Sequence, residues 1–176
     1  MYYTTLSSPF CEIILVGDED GLSHLHLNSG VGRPFAVDPA WRRAPVFFQE
    51  VEAQIRAFFA GERRHFDLKL NPGGTEFQQS VWRALREIPF GARRSYRDIA
   101  VAVGRPGASR AVGAANGRNP IPLIIPCHRV VGSSGKLTGF AHGLALKAAL
   151  IHWESDMISG DPSKKKRKED NDCCDF

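Results

Sequence analysis

Asn71-Pro72-Gly73-Gly74 cuts the chain into two stretches that cannot share one run of secondary structure. Proline fixes φ and removes a backbone donor, and paired glycines leave the backbone free to turn, so neither a helix nor a strand passes through. The two sides differ in periodicity. Before the break, Glu12-Ile13-Ile14-Leu15-Val16 reads as a strand, Gly17-Asp18-Glu19-Asp20-Gly21 as a turn, and Leu22–Leu27 alternates as a second strand. Pro45–Ala60 reads as an amphipathic helix with Phe47, Val51, Ile55 and Phe58 on one stripe, stopped by Gly61. His24, His26 and His65 have no cysteine spacing to match them and read as surface or strand histidines.

After the break the pattern is helical. Thr75-x-x-Gln78 is a capping box, and Phe77, Val81, Leu85 and Ile88 follow at helical spacing up to Pro89-Phe90-Gly91. Ser95-x-x-Asp98 opens a second helix, with Ile99 and Val103 inward and Gly104 as its stop. Pro106-Gly107 then turns the chain into an Ala/Gly-rich helix over about Ala108–Asn116. Two short helices across a glycine turn are the helix-turn-helix layout. Gly132-Ser133-Ser134-Gly135 reads as a hairpin tip between short strands, a wing, and Gly143–Glu154 as a closing helix with Leu144, Ala148 and Ile151 inward. From Ser155 onward apolar periodicity is lost. Lys164–Lys168 and Glu169–Asp172 form a charged tail, expected to be solvated and disordered, with nuclear import or nonspecific DNA attraction as the alternatives for its basic run.

Charge divides at the same place. Residues 81–147 hold eleven Lys/Arg against two acids, Glu87 and Asp98, a net +9, whereas residues 1–80 carry seven basic and ten acidic side chains, a net −3. Nine of the eleven cations are arginine, which favours planar, bidentate contacts to phosphates or bases. Within the helix after Pro106-Gly107, Ala108, Ser109, Ala111, Gly113, Ala114 and Ala115 surround the single large cation Arg110. Small side chains let a backbone lie close to a neighbouring helix or to a nucleic-acid groove, and an arginine at that helix start suits a wedge or phosphate anchor. No apolar run is long enough to span a bilayer, no secretory signal is visible, and Cys11, Cys127, Cys173 and Cys174 make no disulfide or zinc framework, so a reducing compartment is expected.

The chemistry centres on Pro126-Cys127-His128-Arg129-Val130, at the end of the apolar run Ile121–Ile125. Taken alone, a cysteine closing an apolar run is a small core hydrophobe. A neighbouring imidazole and cation change that reading, because a thiolate is the nucleophile and such neighbours make it available near neutral pH. Adjacent side chains of an extended strand point to opposite faces, so His128 reaches Cys127 only if the chain bends or a water bridges them.

The segment Asn119-Pro-x-Pro-x-x-x-Pro-Cys127-His-Arg-Val, with Lys147 and Glu154 downstream, resembles the O6-alkylguanine-DNA alkyltransferases, and the likeness covers about residues 75–154. It implies an α+β chain in four parts: a small N-terminal α/β domain (1–70), a linker (71–75), a mostly helical, winged helix-turn-helix-like catalytic domain (76–156) and the tail (157–176). It implies irreversible, single-turnover transfer of the alkyl group from O6-alkylguanine, and from O4-alkylthymine, in flipped-out DNA to Cys127. Glu154, His128 and a bridging water would activate the thiol. Tyr96 would donate to the base and Asn119 would pin the turn beside the site. Arg110 would fill the vacated stack, with Ala111, Ala115 and Tyr96 also facing DNA and Arg129 either structural or DNA-facing. The pocket would be closed by Val130, Gly132 and residues 138–143, with Phe140 and Ala141 at the substrate. His142 stands where the family commonly has glycine, which bears on pocket width. No cofactor or metal is implied. The expected partner is double-stranded DNA containing alkylated guanine, with no membrane and no obligate protein partner. A monomer in the cytoplasm is expected, at the nucleoid of a bacterium or archaeon or in the nucleus of a eukaryote. Two other classes fit parts of the pattern: a non-enzymatic binder that flags alkylated bases, and a helix-turn-helix regulator with an incidental cysteine. Cys127 with both relay partners disfavours them.

Overall fold

A computed structural model describes residues 1–160, and the charged tail with Cys173 and Cys174 lies outside the described residues. Strands β1 (Tyr2–Ser7), β2 (Glu12–Asp18), β3 (Gly21–Asn28) and the two-residue β4 (Arg42–Arg43) form a sheet in the order β3-β2-β1-β4. The first three strands are antiparallel, and β4 joins β1 in parallel. The expected helix after Pro45 starts as a 3-10 turn, Pro45–Phe48, before α1 (Gln49–Phe59). That tighter start rotates the stripe: Phe48 is buried and Phe47 is exposed, while Ile55 and Phe58 point inward as expected.

Helix α2 (Glu76–Arg86) opens with Thr75 and Gln78 exchanging both capping-box hydrogen bonds, and α3 (Tyr96–Ala102) does the same through Ser95 and Asp98. Helix α4 (Ser109–Gly117) buries Val112, Ala115 and Asn116, one face at i, i+3 and i+4. The Trp82 indole N–H of α2 donates to the Ala115 carbonyl at 2.9 Å, which ties α2 to α4. Leu15 and Phe58 of the sheet unit and Leu85, Ile125 and Trp153 beyond the break belong to one continuous apolar core. A backbone bond from Leu25 N–H to the Pro120 carbonyl, 2.9 Å, joins β3 to the segment that leads to Cys127.

Three expectations change beyond residue 130. Val130–Val131 forms a short strand, β6, but it pairs in parallel with β5 (Arg94–Ser95) rather than with a strand after the turn. Residues 132–136 close as a tight turn through Gly132 N–H to the Lys136 carbonyl and Gly135 N–H to the Gly132 carbonyl, and no strand follows among the described residues. Helix α5 runs further than the apolar pattern indicates, Leu144–Ser159, because Met157 and Ile158 fill the space above Gly61 and Gly91. Its inward face is Leu146, Lys147, Leu150, Ile151, Trp153 and Glu154, and Leu144 is exposed. No helix among the described residues is long and apolar enough to cross a membrane.

Candidate active site

Cys127 owes its place to the turn before it. Asn119 Oδ1 accepts from the Ile121 N–H at 3.0 Å and its Nδ2 donates to the Ile125 carbonyl at 2.8 Å, so one side chain spans the bend. Inside that bend Leu123 adopts φ 74°, a conformation strained for a bulky L residue and kept only because both ends are held. The chain then curls into a 3-10 turn, Cys127–Arg129, so the bend rather than an extended strand sets how Cys127 and His128 are arranged.

Cys127 is 4 % exposed, and burial pushes its thiol up to about 11, against the lowering effects of the Asn119 side chain and the Lys147 charge. His128 is fully buried and its pKa is lowered by that burial, so it is neutral near pH 7. One of its ring nitrogens, Nε2, lies 2.7 Å from Glu154 Oε1. Glu154 is burdened by burial, yet the hydrogen bonds and charges of His128 and Arg129 hold its carboxyl down at about 2. A carboxylate accepts only, so a neutral His128 carries its proton on Nε2 and leaves Nδ1 as the basic lone pair. Nδ1 is buried and has no hydrogen-bond partner among the described residues.

Arg129 is 5 % exposed. Its Nε donates to both Glu154 oxygens, at 3.1 and 3.0 Å, its Nη2 to Oε1 at 2.9 Å and its Nη1 to the Ile88 carbonyl at 2.7 Å. Of the two roles expected for Arg129, structural or DNA-facing, its burial fits the structural one, and its place among the expected DNA contacts is corrected: the guanidinium neutralises Glu154 inside the core. Glu154 also accepts from the Gly91 N–H at 3.0 Å.

Tyr96, Lys147 and the pocket loop meet at one carbonyl. The Tyr96 hydroxyl donates to the Thr138 oxygen at 3.1 Å, and Lys147 Nζ donates to the same oxygen at 2.8 Å. Lys147 is fully buried, and its place in the site does not follow from the sequence pattern around Cys127. The signal that could have found it is a lysine on the apolar face of α5, two turns before Glu154. A cavity of only about 10 Å³ beside Cys127 is lined by Asn116, Asn119, Phe140, Ala141 and His142 among others. That volume is close to that of one water molecule. Val130 is fully buried and does not line it. A larger cavity of about 480 Å³ lies beyond Arg129, lined by Arg64, Arg83, Arg86 and Phe90, and does not contain Cys127.

On α4, Arg110 and Ala111 are exposed, while Ala115 is 2 % exposed and packed toward α2, so its expected DNA contact is corrected to a core position. The pocket loop is also tied to the sheet unit. His142 Nδ1 lies 3.0 Å from the Leu27 carbonyl, Ser29 Oγ donates to the His142 carbonyl at 2.6 Å, and the His26 and His142 rings meet edge-on at 5.1 Å.

Residues 76–156 match the family model described as 6-O-methylguanine DNA methyltransferase, DNA binding domain, and residues 1–72 match the one described as its ribonuclease-like domain. The chain belongs to the 6-O-methylguanine DNA methyltransferase family. It is accordingly an enzyme of the methylated-DNA–protein-cysteine methyltransferase class, with DNA repair as its field. A curated relative of that name from Methanosarcina acetivorans is 51 % identical over 154 residues, covering 88 % of this chain and 98 % of the relative. The Mycobacterium tuberculosis relative of the same name is 44 % identical over 161 residues, covering 92 % and 96 %. The crystal structure of M. tuberculosis OGT in complex with DNA superposes with a TM-score of 0.82 at 44 % identity, covering 89 % of this chain and 94 % of that one.

Proposed function

We propose that this chain repairs double-stranded DNA by moving the alkyl group of O6-alkylguanine, and of O4-alkylthymine, onto Cys127 Sγ. The observation that carries the reading is the buried His128–Glu154 pair, which leaves an unpartnered basic nitrogen on the residue next to a buried thiol.

A thiol held at about 11 is protonated at pH 7, and ionising it beforehand would cost about 5 kcal/mol. The proton therefore leaves during attack. It passes from Sγ through a bridging water to His128 Nδ1, and Glu154 stabilises the imidazolium as it forms. The S–C bond forms as the C–O6 bond breaks, and the electron pair of that bond stays on the base. Hydrogen bonding from the Tyr96 hydroxyl offsets the charge there, and the proton held by His128, passed on through solvent, restores guanine and returns the imidazole to its neutral form. The Lys147 ammonium lowers the cost of negative charge on sulfur in a water-poor site. In this reading the thioether is not cleaved, so one protein molecule serves one lesion.

The reactive oxygen is out of reach inside a duplex, so the nucleotide is flipped out. In this reading α3 and α4 act as the helix-turn-helix of a domain that begins after the 71–75 linker. Exposed Arg110 takes the place of the flipped base, with Ala111 and Tyr96 beside it, and the protein acts as a monomer wherever the DNA is, the nucleoid or the nucleus. Intact mass and peptide mapping after mixing equimolar protein with a duplex holding one O6-methylguanine test it. One methyl on the Cys127 peptide, guanine restored and no second turnover are expected. Unmodified protein that still held the lesion tightly would instead mark a damage sensor.

A further inference from the structure

Leu123, Ile124 and Pro126 of the catalytic bend line the cavity of about 480 Å³, whereas Pro122 and Cys127 line the small one. The two cavities share no residue, and neither α3 nor α4 contributes to the larger. The larger cavity lies in the seam between the sheet unit and the helical part: Arg64 and Phe66 come from the segment after α1, and Arg83 and Arg86 from α2. A further cavity of about 270 Å³ shares Arg83 and Arg86 and extends past Gln79 to Pro72 and Gly73. Gln79, Arg83 and Arg86 stand at i, i+4 and i+7 on one face of α2, while Val81, Trp82 and Leu85 are buried. The result is one groove along α2.

Its charge is unbalanced. Arg64, Arg83 and Arg86 are exposed and form no ion pair among the described residues. Of those residues, Glu87 is the one acid that lines the groove. Arg129, also in the lining, is already neutralised by Glu154. The Arg64 guanidinium lies over the Phe90 ring, 5.5 Å from its centroid, which restricts where that cation can point. Three like charges around one hollow repel one another unless an anion lies between them.

The lining names the anion. Arginine without lysine favours a group that accepts two parallel N–H bonds, as phosphate does. Phe66, Pro89 and Phe90 beside the cations suit a ligand with flat apolar faces between its charges, and a row of cations along a helix suits one whose charge repeats. A single nucleic-acid strand has both properties. A duplex could bring only its outer phosphates to such a hollow and would leave the apolar wall unused. We propose that this groove holds a single strand of DNA by its phosphates, as a site separate from the one that presents the lesion to Cys127. The inference rests on the reading above only in taking α3 and α4 as the lesion face. A molecule spent in one transfer could then keep hold of one DNA segment while its lesion face meets another.

The test is fluorescence anisotropy of a labelled oligothymidylate of about twelve nucleotides, added to full-length protein already saturated with an unlabelled, lesion-free duplex. The strand is expected to bind the duplex-loaded wild type. Combining Arg64→Gln, Arg83→Gln and Arg86→Gln should weaken that binding at least about tenfold and lower the slope of log K against log salt by about 2, because three phosphate contacts are lost. Methyl transfer to Cys127 from a lesion duplex should keep its wild-type single-turnover rate, which also shows that the triple variant is folded. Full displacement of the strand by the duplex would mean one shared DNA site and overturns the proposal. So does a triple variant that binds the strand as the wild type does. An oligoglutamate of equal charge that displaces the strand at lower concentration than unlabelled oligothymidylate overturns it too, and makes the groove a site for acidic peptide. Should the triple variant not fold, the displacement and oligoglutamate arms decide. A wild type that takes the strand but methylates Cys127 from no lesion fails differently: the transfer reading falls and the strand site stands.

Discussion

Replacing Glu154 with glutamine tests whether the buried cluster holds the fold as well as the chemistry. The carboxylate is 2 % exposed and joins His128, Arg129 and the Gly91 N–H in one place. Its carboxyl sits at about 2 instead of the ordinary 4.5. At 1.36 kcal/mol for each factor of ten, that contributes about 3 kcal/mol of stability at neutral pH. Removing one member of a buried ion pair independently leads to about 3–5 kcal/mol, since the Arg129 cation is left uncompensated. For a chain of this size the loss corresponds to a fall in Tm of roughly 6–20 °C. The sign with pH follows from the lowered value. The contribution is complete above the unfolded pKa, near 4.5, and disappears as pH falls toward 2. Urea unfolding of wild type and Glu154→Gln should therefore differ by about 3 kcal/mol at pH 7 and by about 1 kcal/mol at pH 3. A difference equal at both pH values, or under about 1 kcal/mol at pH 7, would refute the electrostatic account. Glu154→Gln combined with Arg129→Met should regain much of the stability without regaining transfer, which separates the two roles of the carboxylate.

Transfer rate against pH should rise with a midpoint below 6.5, the ordinary imidazole value, because burial lowers the pKa of His128; a midpoint above 7 in rapid-quench kinetics contradicts a neutral resting base. Arg110→Ala should slow transfer from duplex DNA at least about tenfold while sparing transfer from the free base, if this exposed arginine supports the flipped state; equal losses on both substrates would remove that role. Ser29→Ala loses one half-buried hydrogen bond to the pocket loop, about 1 kcal/mol, and should speed hydrogen exchange over residues 137–143 with little change in β2. The same loop should loosen in the wild type as pH falls below 6.5. Burial, then the neighbouring His26, keep His142 neutral in the folded chain, so its protonation favours release; exchange independent of pH after correction for intrinsic rates would exclude that coupling.

What the sequence could show depended on how local each cause was. Thr75–Gln78 and Ser95–Asp98 announce their helices because a capping box is closed within four residues. Cys127, His128 and Asn119 were legible because the turn that joins them is contiguous. Arg129 was legible only as a choice between a structural and a DNA-facing cation, because its partners, Glu154 on α5 and the Ile88 carbonyl past the end of α2, are brought together only by packing. The wing failed for a related reason, since Val130–Val131 found its partner in Arg94–Ser95, far back in the chain, instead of across Gly132–Gly135. Asn116 and Lys147 share the subtler cause. Each sits where helical periodicity calls for an apolar residue, and periodicity alone treats such a residue as noise. In a buried helix face the exception carries the information, because a polar atom kept there must be offset by something it binds. For Lys147 that partner is the Thr138 carbonyl, with the Cys127 sulfur beside it. For Asn116 Oδ1 no partner lies among the described residues.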